Sequence, residues 1–280
     1  MNEKVSVIIA FYNKIESLKL VLAALSRQTY SNFEVIVADD GSKKEIVTEL
    51  NSIQNNYSFP IIHVWHDDNG WQKNKILNKS VLASSSDYLI FIDGDCIPHR
   101  QFVQEHVENR KPERVIAGRR VLLTEKISKT LNVNMVLQGN FSLKVFFPLL
   151  YETIFKGRVT KMENMIRIRN KTIRKFFVKE KIRTFWGCNY SIWKSDLLKV
   201  NGFDERYVNP GTGEDTDLDD RLRRIGVLPI SKKHMLTQFH IYHVHFNTNI
   251  EENILLRVEN NLNEITYTPY GINKTDSGKM

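Results

Sequence analysis

"YLIFIDGDCIP", residues 88–98, runs through Leu89, Ile90, Phe91 and Ile92 and then stops at two aspartates one glycine apart. An unbroken apolar run of this length, closed by a turn signal, suits a strand buried on both faces, as in a parallel sheet covered by helices. Two earlier stretches have the same form. VSVIIA, residues 5–10, leads into the loop Phe11 to Lys14, and FEVIVADDGS, residues 33–42, ends in carboxylates and glycine. Between them Leu18, Val21, Leu22 and Leu25 recur at helical spacing. IIHVWH (61–66) reads as a third strand and KILNKSVLASS (75–85) as a helix, so the first hundred residues alternate strand and helix. Parallel sheets collect ligands beyond their strand carboxyl ends. Asp39-Asp40 and Asp93-Asp95 fall at such ends and are predicted to share one rim.

The chain of 280 residues, 41% of them hydrophobic, is long enough to bury a sizeable core. No apolar run approaches the roughly 20 residues that span a bilayer. The start, MNEKVSVIIAFYNK, does not have the form of a signal peptide, because an acid comes early and Tyr12, Asn13 and Lys14 cut the apolar run short. A cytoplasmic protein, peripheral at most on the inner face of the cell membrane, is expected. Cys96 and Cys188 are expected to be reduced, and no zinc-type spacing exists.

The net charge of +8 is concentrated, because Lys156 to Arg183 holds eleven lysines and arginines against Glu163 and Glu180. Such a block attracts polyanions: nucleic acid, anionic lipid or acidic carbohydrate. After Pro98 the pattern reads as a helix QFVQEHVENR (101–110), a single strand RVIAGRRVLL (114–123), and then the basic, mostly helical block. A helix near Glu251 to Asn261 precedes the polar tail GINKTDSGKM (271–280), which is expected to be disordered.

Two carboxylates around a glycine can serve different ligands, one facing a metal and the other a hydroxyl. In words, order and spacing, VSVIIAFYN (5–13), QTYSNFEVIVADDGS (28–42) and YLIFIDGDCIP (88–98) resemble the family 2 glycosyltransferases. The resemblance implies the GT-A fold: Rossmann-like α/β, a mostly parallel sheet flanked by helices, here with a helical basic insertion. FWGCNYSIWKSDLLKVNGFDERYVNPGTGEDTDLDDRLRRIG (185–226) is similar to the second half of chondroitin polymerases and β-1,4-galactosyltransferases. The division it implies is a catalytic domain over 1–250, with a nucleotide-binding half 1–98 and an acceptor half 99–250 that carries the basic helical segment 125–183. The helix and tail of 251–280 follow.

The family also implies roles for matching residues. Asp40 accepts a hydrogen bond from uracil N3, which cytosine lacks as a donor, and the backbone at Ala10 and Tyr12 borders the base. Asp93 binds the ribose hydroxyls. Asp95 holds a divalent cation, Mg2+ or Mn2+, that bridges the donor's phosphates, and an imidazole ligand tilts the choice toward Mn2+. HIYHVHF (240–246) offers His240, His243 and His245; His243 is the first choice and His245 the second, since alternation along a strand puts both on one face. His99 is a weaker candidate. GWQKNKILNKS (70–80) has Leu77-Asn78 where the commoner pattern has Arg-Asn, and Lys73 or Lys75 is expected to meet the donor's diphosphate or base instead.

GTGEDTDLDD (211–220) packs five carboxylates into ten residues and leads into RLRRIG, the pattern of a loop entering a helix whose amino end stabilises anions. As a site, Asp215 is the general base on an acceptor hydroxyl and Glu214 orients donor or acceptor hydroxyls, while Trp186, Gly187 and Asn189 line the sugar pocket. One base and a direct attack imply inversion. The expected function is metal-dependent transfer of a hexose or N-acetylhexosamine from a UDP-sugar to a glycan or lipid-linked acceptor in surface polysaccharide synthesis. Two other classes compete. A basic nucleic-acid-binding or membrane-docking protein without transferase activity would explain the charge, but acidic strand ends repel phosphate backbones, so no nucleic-acid partner is expected. An anionic membrane surface does suit residues 156–183, with Phe146, Phe147, Phe155, Phe176 and Phe177 as apolar contacts. A sugar nucleotidyltransferase would need a glycine-rich phosphate loop, and AFYNKIESL (10–18) contains no glycine.

Overall fold

The computed structural model describes residues 3–168, 170–177, 180–211, 213–244 and 250–274. The three apolar runs form β1 (Val5–Phe11), β2 (Phe33–Asp39) and, after β3 (Ile61–Trp65), β4 (Tyr88–Asp93). β1 lies between β2 and β4 and is parallel to both, with β3 parallel to β2 at the edge. Beyond the short β5 (Cys96–Pro98) come β6 (Arg114–Ala117) and β7 (Arg119–Leu122), then β8 (Lys181–Ile182), β9 (Asn189–Trp193), β10 (Leu228–Ser231) and β11 (Thr237–His240). The large sheet has the order β3-β2-β1-β4-β9-β6-β10-β8, and a smaller one has the order β5-β11-β7. β9 is antiparallel to β4 and β6.

β1 is buried along its length except at the half-buried Ala10, because its alternate residues belong to two cores. Val5, Val7 and Ile9 join Leu18, Val21 and Leu22 of the helix Ile15–Leu25. Ile8 joins Ile76 and Val81 of the helix Lys73–Ala83, together with Leu218 and Leu222 of the helix Glu214–Arg224. Each buried aliphatic side chain contributes roughly 1.5–3 kcal/mol, and the division has a positional result. The helices that begin at Lys73 and Glu214 lie on the same face of the sheet, with both N-termini near its carboxyl rim.

Several local expectations are corrected. RVIAGRRVLL is two strands in different sheets, because the chain leaves the large sheet at Gly118. There a Cβ would stand 2.3 Å from Asn189 Oδ1 and 2.5 Å from Leu236 O, so the crossing needs a residue without a side chain. HIYHVHF is not one continuous strand, since β11 ends at His240. The helical part of the segment 125–183 lies mainly before the basic residues: the helix Phe141–Phe155 precedes Lys156, and the charged stretch itself holds a short 3-10 turn, Met162–Met165, and the helix Lys171–Phe177. The start of the polar tail is ordered. Ile272 packs against the second core, Asn201 donates to Asn273 O at 2.9 Å, and the Asn273 N–H donates back to Asn201 Oδ1 at 2.8 Å. Residues 275–280 lie outside the described residues. Among the described residues no helix is long and apolar enough to cross a membrane.

Asn201 sits at φ 63°, a left-handed backbone that asparagine tolerates better than alanine, and also donates to Thr268 O at 2.7 Å. Asn201→Ala is expected to cost about 2–3 kcal/mol and to open the C-terminal segment to protease before the rest of the chain. An unchanged melting temperature with an uncut tail would contradict this.

Candidate active site

Strand register brings the acidic ends together. Phe11 of β1 pairs with Asp39 and Ala10 pairs with Asp93, so both clusters reach one rim. The last carbonyls of β1 then anchor both turns: the Asp40 N–H donates to Phe11 O at 2.9 Å and the Gly94 N–H to Ala10 O at 2.8 Å.

The first cluster divides its labour. Asp39 is fully buried and holds its own turn, accepting the Ser42 N–H at 2.8 Å and facing His63 Nε2 at 2.9 Å. Asp40 faces the rim loop, with His66 Nε2 2.8 Å from Oδ1 and the Gln72 N–H 2.9 Å from Oδ2. Burial pushes the Asp40 carboxyl up, against the pull of His66 and the Gln72 N–H. Each oxygen keeps a further acceptor position. Ala10 is half-buried beside it, and Tyr12 is exposed with its hydroxyl donating to Asp68 Oδ2 at 2.9 Å.

The end of β4 meets the second acidic motif through a lysine. Lys73 Nζ lies 3.1 Å from Asp93 Oδ1 and 2.6 Å from Glu214 Oε1. Burial works against its charge, yet Asp93 and Glu214 hold Lys73 well above the usual lysine range. Lys75, two residues further on, bonds Gln72 Oε1 at 3.1 Å instead and stays out of the cluster. Glu214 is pushed up to about 7 by burial and by Asp215, against the pull of Lys73. Asp215 is also raised by burial, although its Oδ2 accepts the Gly187 N–H at 2.7 Å. Gly187 therefore positions this carboxylate through its backbone.

The other three acids of GTGEDTDLDD belong to the helix. Asp217 pairs with Arg221, Asp219 with Arg223 and Asp220 with Arg257, each at 2.8 Å. Only Glu214 and Asp215 of the five are left to face Gly187 and Lys73, at a helix amino end that favours negative charge.

Asp95 meets imidazoles. Its Oδ1 lies 3.5 Å from His240 Nε2, and its Oδ2 lies 3.7 Å from His243 Nε2 and 3.5 Å from Lys14 Nζ. Donor atoms of Asp95, His240 and His243 all fall within 4.8 Å of one another. Two ligands each ~2.2 Å from one ion stand up to ~4.4 Å apart, so a small contraction would let the three share a cation. Burial lowers His240 despite Asp95, which favours the neutral ring a metal needs. His240 is thus the partner that alternation along a strand misses: β11 pairs it with Cys96, next to Asp95, and the Ile241 N–H then donates to Asp95 O at 2.9 Å. His245 lies outside the described residues. His99 faces Arg167 at 3.3 Å and accepts the Gln101 N–H at 3.2 Å, away from this cluster. Cys96 and Cys188 are free, buried thiols.

Of the expected sugar-pocket residues, Asn189 is buried in β9, and its amide donates to Arg119 O at 3.1 Å and Leu236 O at 2.8 Å, bracing the crossing at Gly118. Trp186 is half-buried, with Lys161 Nζ 4.6 Å and the Arg120 guanidinium 4.8 Å from its ring centre.

A large, mostly parallel sheet flanked by helices, with acidic strand ends gathered on one rim, is the architecture of a GT-A glycosyltransferase domain. The chain belongs to glycosyl transferase family 2, whose pattern matches residues 6–197, and residues 167–244 match the family described as the N-terminal domain of galactosyltransferase. It is 29% identical over 234 residues to the chondroitin synthase of Escherichia coli, covering 79% of this chain and 32% of that protein. It is 28% identical over 229 residues to the hyaluronan synthase of Pasteurella multocida, covering 79% and 23%. The chain thus spans a third or less of these relatives. The amylovoran biosynthesis glycosyltransferase AmsB of Erwinia amylovora is 26% identical over 251 residues, covering 85% and 72%. In fold, the chain is similar to the mannosyltransferase PcManGT of Pyrobaculum calidifontis, solved in complex with GDP-Man and Mn2+, at a TM-score of 0.54 and 15% identity over 85% of this chain and 57% of that one.

Lys73→Met removes the cation shared by the half-buried Asp93 and the buried Glu214 and is expected to cost about 3 kcal/mol at pH 8. Glu214 already carries a raised value of about 7 and would rise further, so the variant's penalty should shrink as pH falls below 7 and Glu214 takes up a proton. Melting curves at pH 5.5 and 8 check this, and an equal loss at both would refute it.

Proposed function

We propose that the chain is an inverting glycosyltransferase that moves a hexose or N-acetylhexosamine from a UDP-sugar, with Mn2+ or Mg2+, to a glycan or lipid-linked saccharide in surface polysaccharide synthesis. The observation that carries this reading is the convergence of Asp40, Asp93, Asp95 and Asp215 on one sheet rim, reached from three separate parts of the chain. The chondroitin and hyaluronan synthase relatives support the polysaccharide, and the neighbour bound to GDP-Man and Mn2+ supports a nucleotide sugar with a divalent ion.

In this reading Asp40 accepts the N3–H of uracil with the lone pairs left beside His66 and Gln72, and Ala10 and Tyr12 border the base. Asp93 meets the ribose, while Lys73, which it shares with Glu214, faces the diphosphate. Asp95, His240 and His243 would hold the cation, and a bound ion there would supply positive charge to offset that on the departing UDP. Asp215, kept in place by the Gly187 N–H, takes the proton of the acceptor hydroxyl as its oxygen attacks the anomeric carbon from the far side. Its raised value suits that work, since a base titrating nearer neutrality is better matched to a hydroxyl. The catalytic unit is residues 1–250, its halves 1–98 and 99–250 serving donor and acceptor.

Membrane contact belongs to the same reading. Leu143, Phe147, Tyr151 and Phe155 recur every four residues along the helix Phe141–Phe155 and stand exposed, while Phe141, Val145 and Leu149 are buried on its other side. Lys156 and Arg158 follow directly, and an apolar stripe edged by cations suits an anionic lipid surface near a lipid-linked acceptor.

A scan of UDP-, GDP- and CMP-sugars for hydrolysis with Mn2+ should single out a UDP-sugar. Asp95→Asn should lose the Mn2+ stimulation, and Asp215→Asn should keep UDP affinity while transfer falls by about 10²–10⁴. Wild-type transfer by Asp215→Asn would remove it as the base. In flotation, vesicles rich in phosphatidylglycerol should carry the protein and Phe147→Ser/Phe155→Ser should stay behind; equal recovery of the two proteins would count against membrane docking.

A further inference from the structure

Beside the candidate base lies a cleft of about 580 Å³, of whose lining only Trp186 has been given a role in sugar transfer, as an expected sugar-pocket residue. Its size falls within the ~300–1,000 Å³ of ligand pockets, and its lining includes Trp186 with Arg119, Lys161, Lys181, Arg183 and Lys233. Against these five cations the lining carries a single acid among the described residues, Glu163. Glu180, the acid closest in sequence, is already taken by Lys111 and Lys232. The cations act on one another: burial and then Arg183 lower Arg119, and burial followed by Arg120 and Arg119 lowers Lys161. Like charges gathered this way are costly unless an anion joins them.

The cleft is also shaped. Lys161 is held at φ 51°, in the left-handed region that lysine seldom adopts, as the chain enters the turn Met162–Met165. That turn is fixed by Asn164 Nδ2, which donates to Arg120 O at 2.9 Å. The result sets the Lys161 ammonium over the Trp186 ring at 4.6 Å. Trp186 is one residue from Gly187, whose N–H holds Asp215 at 2.7 Å, so a ligand against this indole adjoins the carboxylate that activates the acceptor.

We propose that this cleft is an anion subsite for the acceptor. It takes a saccharide bearing a carboxylate or phosphate, with a sugar ring against Trp186 and the anionic group among Lys181, Arg183 and Lys233. The placement of the subsite rests on the transferase reading, because it is Asp215 that makes this side the acceptor's. One shared chemistry, a saccharide-borne anion, has two sources: a uronate of an acidic glycan or the diphosphate of a lipid-linked sugar.

Calorimetric titration of the full chain with two probe pairs tests the subsite. One pair is a uronate-containing tetrasaccharide and the same compound with its carboxyls reduced to alcohols; the other is a short prenyl diphosphate-linked N-acetylglucosamine and the corresponding prenyl glycoside without phosphate. In at least one pair the anionic member should bind about tenfold or more tighter than its neutral partner, the scale of a charge-assisted contact, and the margin should shrink as salt rises. The pair that shows the margin identifies the source. Lys181→Ala/Arg183→Ala/Lys233→Ala changes exposed side chains only, so its melting temperature should stay at the wild-type value while the margin disappears. Equal affinity within both pairs overturns the proposal, and so does a triple variant that keeps the margin. Acceptor-independent hydrolysis of a UDP-sugar is measured separately; a chain that discriminates the anionic probes but hydrolyses no nucleotide sugar fails the transferase reading and retains an anion site.

Discussion

One ammonium group holds the rim together. Lys73 Nζ lies 2.6 Å from Glu214 and 3.1 Å from Asp93, and so joins the first residues of two helices to the last residue of the central strand β4. Without a cation there, Asp93, Glu214 and Asp215 would crowd like charges into a place largely removed from water, where their repulsion is weakly screened. The helix amino ends add partial positive charge to the same spot. The pairing of the remaining acids with Arg221, Arg223 and Arg257 completes the sorting, because each acid that has an arginine within reach is withdrawn from the cleft. What is left is a pair of carboxylates with raised values, one of them, Asp215, oriented by a backbone N–H rather than by a cation.

A second constraint is the crossing at Gly118. Asn189 packs where a side chain on that residue would be, and its amide ties the carbonyls of Arg119 and Leu236. The chain can then leave the large sheet and build the small one, where β11 runs between β5 and β7. This sheet places His240 against Cys96 and so beside Asp95. It also carries Arg119 and Arg120 toward Trp186, where the basic cleft begins. The basic residues are not equivalent: Arg167 is bound to the buried Glu105 and serves the fold, whereas Lys161, Lys181 and Arg183 line open space.

Much of the first hundred residues was legible, because strand burial and helix spacing are local patterns. The apolar runs mark β1, β2 and β4, and the acids that end them do share one rim, as parallel strands require. The motif GTGEDTDLDD does open a helix. Less legible were features that depend on a distant partner. RVIAGRRVLL reads as one strand because nothing local distinguishes Gly118 from any other glycine; only the close approach of Asn189 and Leu236 does. The polar tail reads as disordered because its composition is that of a solvated segment, yet Asn201 binds Asn273 at both its amide and its carbonyl oxygen.

The amino-acid sequence by itself determined which residues are apolar enough to be strands and where carboxylates must stand at their ends, since hydrophobic period and turn chemistry act between near neighbours. Tertiary structure alone decided which lysine enters the acid cluster, which histidines accompany Asp95, which two of the five acids are left without an arginine and where the positive charge gathers. Those outcomes are set by Coulomb energy and hydrogen-bond geometry over a few ångströms, and residues 73, 93 and 214, or 95, 240 and 243, come within that range only after the sheet has formed.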